Sequence, residues 1–379
     1  MAHQNIFILG ATGNVGSELI KQISQHDGPA HQHLNPTVIV GISDSTHFLL
    51  SSGGITMPKI INREFIRPLL QQSYAWTSFT SHDQILEGIR RAGLDGDIIF
   101  VDVSAEGEKM VQMHSDIIRS TGNRIVTANK KPAAANMNTF EQITANPHRY
   151  RYNTTVMAGA GAVPYFQESH GLSETIESVE GTFSGTLAYV CSELEKWEKS
   201  FSEIVQEARK KGYTEPHPID DLSGDDVRRK LLILLRSSGI RIDESDVELH
   251  WLINPSQYEW QSSDEFVLAI RKEDDRIQQE VADAKNQWLV PRYIASYKPS
   301  QDGKMKALVA LELVPIESEL GNMKWTANKI LIHASQRTPT RWSPPHIIQS
   351  PGAWVTKTAA AVRADLLYLL HGTNLWQHD

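Results

Sequence analysis

Cysteine is nearly missing from this sequence: one, Cys191, among 379 residues. That excludes an intrachain disulfide and fits a reduced, cytoplasmic protein. Cys191 itself reads as a small buried hydrophobe rather than a nucleophile. Long apolar runs are missing too. No stretch reaches the roughly 18 residues of a membrane span, so no membrane partner is expected. A surplus of positive charge is absent: 37 Lys and Arg stand against 45 Asp and Glu, a net charge of −8. Such a balance argues against a general nucleic-acid binder, though it allows local basic pockets. The chain enters the strand-like IFILG without a basic, cleavable segment, so no signal peptide is expected. Repeats and low-complexity tracts are also lacking. What is present, 40% hydrophobic and 22% charged residues, suits two or three ordinary domains.

Residues 5–26 read as strand, glycine-rich turn and helix. TVIVGI (37–42), DIIFVDVS (97–104) and NRIVTANK (123–130) read as further strands, with a helix over 107–120. Apolar strands with polar ends, alternating with helices, predict a doubly wound parallel sheet over residues 1–150. The pattern then changes. ESVEGTFSGTLAYV (177–190) reads as a strand that breaks at Gly185 into a helix, followed by helices near 200–211 and 223–238 and one over 263–286. VELHWL, NQWLVPRYIASY, MKALVALELVP and KILIHAS read as strands. A second, α+β domain is therefore expected over 151–340, its sheet covered by helices on one face. A C-terminal segment, 341–379, carries a last helix.

Gly10, Gly13 and Gly16 lie where the first strand becomes the first helix. Glycine there lets the backbone approach a pyrophosphate, and the helix N-terminus offers unpaired N–H groups. A structural tight turn is the competing reading. Asn14 and Val15 share the loop and join the candidate cofactor-binding residues. Ser43 and Asp44 end the second strand. An acid there accepts from the ribose hydroxyls and favours NAD, small hydroxyl residues tolerate a 2′-phosphate, and Asp44 would equally cap a turn. NAD against NADP stays open. Val103, Ser104 and Lys130 end the third and fourth strands, where ligands of open α/β sheets lie, whereas Lys131 reads as solvated.

The segment GYTEPHPIDDLSGDDVRRKLLILLR, 212–236, sets Glu215, Asp220, Asp221, Asp225 and Asp226 before an apolar helix. Ser223 with Asp226 resembles a capping box, and two acids suit a helix N-terminus. Capping leaves Glu215, Asp220, Asp221 and Lys230 unexplained. Val227, Leu231 and Leu234 form the apolar stripe, and Lys230 stands beside it, one turn after Asp226. On an exposed helix that pair would contribute only ~0.3–0.5 kcal/mol. At a core edge, a partly desolvated lysine can exchange a proton near neutral pH.

This segment resembles the signature of homoserine dehydrogenases. VTANKKP (126–132), VMAGAGAVP (156–164), GTFSGTLAYV (181–190) and SPGAWVTKTAAAVRADLL (350–367) occur in that family's order. The resemblance implies a Rossmann domain, a substrate and dimerisation region, and NAD(P)-dependent interconversion of aspartate 4-semialdehyde and homoserine, a small-molecule substrate. It implies a homodimer built on the sheet of the second half. It makes Lys230 the catalytic lysine with Asp226 as its partner, and Lys130 a further active-site lysine. Glu215 becomes a substrate-binding glutamate, with Asp226 able to share the substrate ammonium, and Asp221 a substrate-site aspartate. Gly212 and the 181–186 segment, with Thr186, line the site, and Gly352 joins the cofactor side. Some members hold a monovalent cation through backbone carbonyls; Val156 and Ala160 are the nearest matches.

The chain also departs from the pattern. The first glycine loop and VMAGAGAVP are each one residue longer than usual, and Asn153 replaces a common acid. Trp354 stands where a glycine is usual, so it would narrow the cofactor pocket, stack on a ring, or simply pack. With no regulatory segment recognised, feedback by threonine is not expected. Two other functions stay open: a related NAD(P)-dependent reductase of another amino-acid aldehyde, and a catalytically silent NAD(P)-binding regulator.

Overall fold

Strands buried on both faces are near-continuous apolar runs, and β1 (Gln4–Leu9) and β5 (Ile98–Asp102) are buried along their whole length, with polar residues only at their ends. They form the centre of a seven-stranded sheet in a computed structural model. The structure describes residues 3–27, 36–56, 76–196, 198–214, 217–258, 262–323, 325–338, 343–352 and 354–374. The chain divides into two compact units: Met1–Gly159 with Ala353–Asp379, and Ala160–Gly352.

In the first unit β1 is followed by α1 (Asn14–His26), β2 (Thr37–Ser43), β3 (His47–Leu50), β4 (Thr77–Ser78) and α2 (Asp83–Arg91). After β5 come α3 (Glu108–Ser120), β6 (Arg124–Thr127), α4 (Lys130–Ala134), α5 (Met137–Thr144) and β7 (Tyr150–Arg151). The sheet order is β4-β3-β2-β1-β5-β6-β7. The strands from β2 to β7 in that order pair in parallel, as expected of a Rossmann sheet. The edge departs from the expectation: β3 and β4 pair antiparallel. Asp44 explains the departure. Its Oδ1 accepts the N–H groups of Thr46 and His47, both at 2.8 Å, and closes a hairpin after β2. The fourth predicted strand also stops early. Asn129 accepts the Lys131 N–H at 3.1 Å and caps α4, so Lys130 opens a helix rather than ending a strand.

The second unit contains α6 (Ala162–Gly171), β8 (Ile176–Thr182), α7 (Gly185–Leu194), α8 (Phe201–Lys210), α9 (Ile219–Leu222), α10 (Asp225–Ser237) and β9 (Val247–Leu249). It continues with α11 (Ser263–Ala269), α12 (Asp274–Asn286), β10 (Leu289–Pro299), β11 (Met305–Pro315), β12 (Asn328–Ala334) and β13 (His346–Ser350). The single helix expected over 263–286 is two, joined by a tighter turn at Ile270–Glu273. The Asp274 carboxylate takes both the N–H and the hydroxyl of Ser202 at 2.7 Å, fixing the second helix against the start of α8. The six strands run β13-β12-β8-β10-β11-β9. Tyr293 points to the helix side. On the opposite face a row formed by Ile347, Leu331, Glu180, Ser296 and Leu308 crosses five strands. Part of that face is covered by residues 320–323. The fully buried Arg292 holds them by donating to the carbonyls of Leu320 (3.1 Å), Gly321 (2.6 Å) and Met323 (3.1 Å).

The last helix, α13 (Val355–Asn374), belongs to the first unit. Ala359, Val362, Leu366 and Leu369 pack in one apolar cluster with Leu19, Ile20 and Ile23 of α1. Arg363 pairs with the buried Asp27 at 2.7 Å. Asp365, 3% exposed, accepts from Asn153 Nδ2 at 2.7 Å and Arg151 Nε at 3.3 Å. Burial outweighs these partners and pushes its carboxyl from 3.8 up to about 6. A carboxyl whose folded value is raised holds its proton more tightly when folded. Its contribution therefore favours folding in acid and is lost as pH rises through about 6. Denaturation of wild type and Asp365→Asn across this range should show the wild-type stability, relative to the variant, falling as pH rises from about 4 to about 7. A difference independent of pH would refute it.

Candidate active site

The 212–236 segment folds around one close contact. The N-cap of α10 is Gly224, with φ +78° and no side-chain cap, so the capping box expected from Ser223 and Asp226 does not form. Ser223 Oγ instead accepts the Asp225 N–H at 3.3 Å. A Cβ on Gly224 would lie 2.1 Å from Tyr293 Oη, which donates to the His250 carbonyl at 2.8 Å. The first turn of α10 is thereby pressed onto the sheet. Val227, Leu231 and Leu234 are buried, as their spacing predicts.

Lys230 leaves this stripe at its edge. Its Nζ lies 2.7 Å from Asp226 Oδ2 and donates to the Phe183 carbonyl at 2.7 Å. The lysine side chain is 15% exposed and that of Asp226 34%. The Phe183 carbonyl is available because the chain there is between elements: β8 ends at Thr182, and Ser184 caps α7 by accepting the Leu187 N–H at 3.2 Å. The i, i+4 pair was legible in the sequence; the carbonyl was not. Three residues on, the Thr186 hydroxyl lies 2.5 Å from the Tyr213 carbonyl and 3.0 Å from Asp221 Oδ1. It joins α7 to α9 and to the loop that begins at Gly212, where α8 ends with φ +71°. Gly352 lies near Gly185 and Thr326 at the start of α7, in the second unit. Glu215 falls outside the described residues, and Asp220 is exposed.

In the first unit the glycine loop forms a cradle that side chains would fill. A Cβ on Gly16 would stand 2.3 Å from the Gly10 carbonyl, and one on Gly13 3.2 Å from it. The buried Ser43 fixes the loop by accepting the N–H groups of Gly10 (3.1 Å) and Ala11 (2.9 Å). Beyond it, Asn14 and Val15 open α1 with first-turn N–H groups directed out of the helix end. Asp44 is engaged through Oδ1 in the hairpin turn. Val103 donates to the Leu9 carbonyl at 3.1 Å, and the buried Ser104 Oγ has no hydrogen-bond partner. Lys130 is half-buried and Lys131 exposed. The cradle and the orphaned hydroxyl fit a dinucleotide phosphate group.

Val156 is fully buried, and Met157, Gly159 and Gly161 all take positive φ in the stretch that includes Ala160. Asn153 Oδ1 is buried without a hydrogen-bond partner, an acceptor of the kind a cation uses. Trp354 is 62% exposed and pairs with no ring among the described residues. Burial pushes the Cys191 thiol up to about 11, which removes it as a nucleophile. Among the described residues no helix is long and apolar enough to cross a membrane.

These features define a two-unit α/β protein with a Rossmann sheet and a separate lysine–aspartate site. Residues 166–367 match the sequence family described as homoserine dehydrogenase. A bifunctional aspartokinase/homoserine dehydrogenase of Haemophilus influenzae is 30% identical over 97% of the chain. The chain spans 43% of that protein, and 37% and 44% of similar proteins from Daucus carota and Escherichia coli. Among solved structures, a Candida auris protein described as of unknown function has a TM-score of 0.79, with 24% identity over 97% of this chain and 98% of that one. A hyperthermophilic archaeal homoserine dehydrogenase in complex with NADPH has a TM-score of 0.70, with 18% identity over 98% of each chain. The chain belongs to the homoserine dehydrogenase family.

Gly224 tests the scaffold. Gly224→Ala forces both a left-handed alanine and a clash with Tyr293, together costing about 2–4 kcal/mol. A melting temperature equal to that of wild type would contradict the packing described.

Proposed function

We propose that the chain interconverts aspartate 4-semialdehyde and homoserine with NADP or NAD. The observation that carries this reading is Lys230, held at 2.7 Å by both Asp226 and the Phe183 carbonyl and largely withdrawn from water. An ammonium has three N–H donors. Two are directed at these acceptors, and the third serves the substrate oxygen. In the reducing direction Lys230 stabilises the growing negative charge on that oxygen and protonates it. Asp226 keeps the ammonium oriented. Glu215, with Asp226 able to share it, takes the substrate's own ammonium by charge-assisted hydrogen bonds, and Asp221, Thr186 and Gly212 shape the surroundings. A bound nicotinamide dinucleotide supplies the hydride in this direction and accepts it in the other. Gly10, Gly13, Asn14, Val15 and Gly16 hold its phosphates, Val103 and Ser104 line the sheet end beside them, and Lys130 adds a positive charge at the same sheet end. The carbonyls of Val156 and Ala160, with Asn153 nearby in sequence, are the proposed seat of a monovalent cation that stiffens this turn.

The assay is the nicotinamide absorbance of the protein supplied with homoserine and each dinucleotide in turn. Oxidation of homoserine is expected. Dinucleotide binding without homoserine oxidation would favour instead a reductase of another amino-acid aldehyde or a silent binder. Lys230→Ala should lower kcat by about 10²–10⁴-fold, the usual scale of acid–base help, while the protein stays folded. Normal turnover by that variant would remove Lys230 from the mechanism.

The sheet face opposite Tyr293 is proposed to seat a second copy of the chain. Leu308 and Leu331 are half-buried and Ile347 is 39% exposed there. The Glu180–Lys298 pair at 2.5 Å supplies self-complementary charge in the same area. Light scattering should give a dimer mass, and Leu331→Asp should give a monomer. A monomeric wild type would end this part of the reading.

A further inference from the structure

A carboxylate, an imidazole and a phenol lie in line inside the first unit, and the chemistry above uses none of them. Asp102, the last residue of β5, and His114 of α3 are both 0% exposed, and Tyr150 of β7 is 1% exposed. Asp102 Oδ1 accepts the Ser104 N–H at 2.9 Å. Asp102 Oδ2 faces His114 Nε2 at 3.1 Å, an ion contact not aligned as a hydrogen bond, and His114 Nδ1 lies 2.9 Å from Tyr150 Oη. We propose that His114 and Tyr150 are positioning residues for the dinucleotide, acting through Asp102 on the Val103–Ser104 turn. This rests on the reading that Val103 and Ser104 meet the cofactor.

A fully buried carboxylate is costly unless polar groups face its oxygens. The Ser104 N–H bonds to one, and the His114 ring nitrogen Nε2 faces the other at 3.1 Å. The far ring nitrogen, Nδ1, is hydrogen-bonded to the Tyr150 hydroxyl. Burial, with the charge of Asp102 adding to it, raises the Tyr150 phenol well above its usual range, so the hydroxyl keeps its proton. Each member thus braces the next, ending at the Ser104 backbone. That backbone is where precision matters. A Cβ on Gly10 would lie 2.9 Å from Ser104 Cα and 3.0 Å from its N, so the turn and the glycine loop are in direct contact. A turn released from Asp102 would shift against Gly10 and turn the orphaned Ser104 Oγ away.

His114→Phe removes both ring nitrogens at similar volume, Tyr150→Phe removes only the hydroxyl, and Asp102→Asn removes the charge. Dissociation constants for NADPH and NADH, by fluorescence titration without turnover, should rise about tenfold in His114→Phe and about threefold in Tyr150→Phe. KM for homoserine should stay within about twofold, because the substrate residues lie on other elements. Asp102→Asn combined with His114→Phe should weaken binding no more than about the worse single change, since both act through the one contact of Asp102 with the Ser104 backbone. Variants that melt like wild type and bind dinucleotide as tightly overturn the proposal. So do losses that follow the melting temperature and raise homoserine KM equally, the mark of a general structural role. A wild type that binds neither dinucleotide fails at an earlier step and overturns the functional reading as well.

Discussion

A lysine side chain only 15% exposed to water needs acceptors fixed in place, and Lys230 of the second unit has two. One acceptor, Asp226, comes from the same helix one turn earlier. The other, the Phe183 carbonyl, exists only because the chain passes from strand to helix at that point. Removing a charge from water costs several kcal/mol unless such partners are preformed. The seating of α10 on Tyr293 is what preforms them. Gly224 therefore supports the Lys230–Asp226 pair through its close approach to Tyr293.

The buried charges elsewhere follow a related rule. Asp27 with Arg363, Asp365 with Arg151, Arg292 with Glu195 and Glu174 with Arg337 each join segments distant in the chain. The first two tie the last helix to the first unit. In the third, Arg292 also holds residues 320–323 over the second sheet through their carbonyls, and the fourth ties the segment after α6 to the segment after β12. Pairs of this kind are weak evidence for net stability, because desolvation offsets much of their attraction. They disfavour other registers, since an unpaired alternative leaves a charge in the core. The folded arrangement is selected as much by what these groups exclude as by what they contribute.

The glycine cradle shows the same division of labour. Close backbone approach between Gly10, Gly16 and the turn after β5 is a steric condition that glycine alone meets. Ser43 and Asp102 then hold the approaching strands' ends through backbone N–H groups. The cradle is built from main chain, with side chains serving as braces behind it.

Local pattern was enough to read the parallel sheet from its apolar strands, the strand-to-helix break at Gly185, and the Lys230–Asp226 pair. Each is set by a short-range rule: two-residue or helical periodicity, or the four-residue reach along one helix face. The sequence by itself also carried the family, through motifs in order. It could not show the antiparallel edge after Asp44, the break before Asp274, or Gly224 in place of Ser223 as the cap of α10. There a contact outside the local window won: Ser202 for Asp274 and Tyr293 for Gly224, while at Asp44 a side-chain turn displaced the usual crossover. The Phe183 carbonyl and the Asp102–His114–Tyr150 line were hidden for the same reason. Their members lie 12 to 48 residues apart and acquire meaning only when folding has removed the water between them.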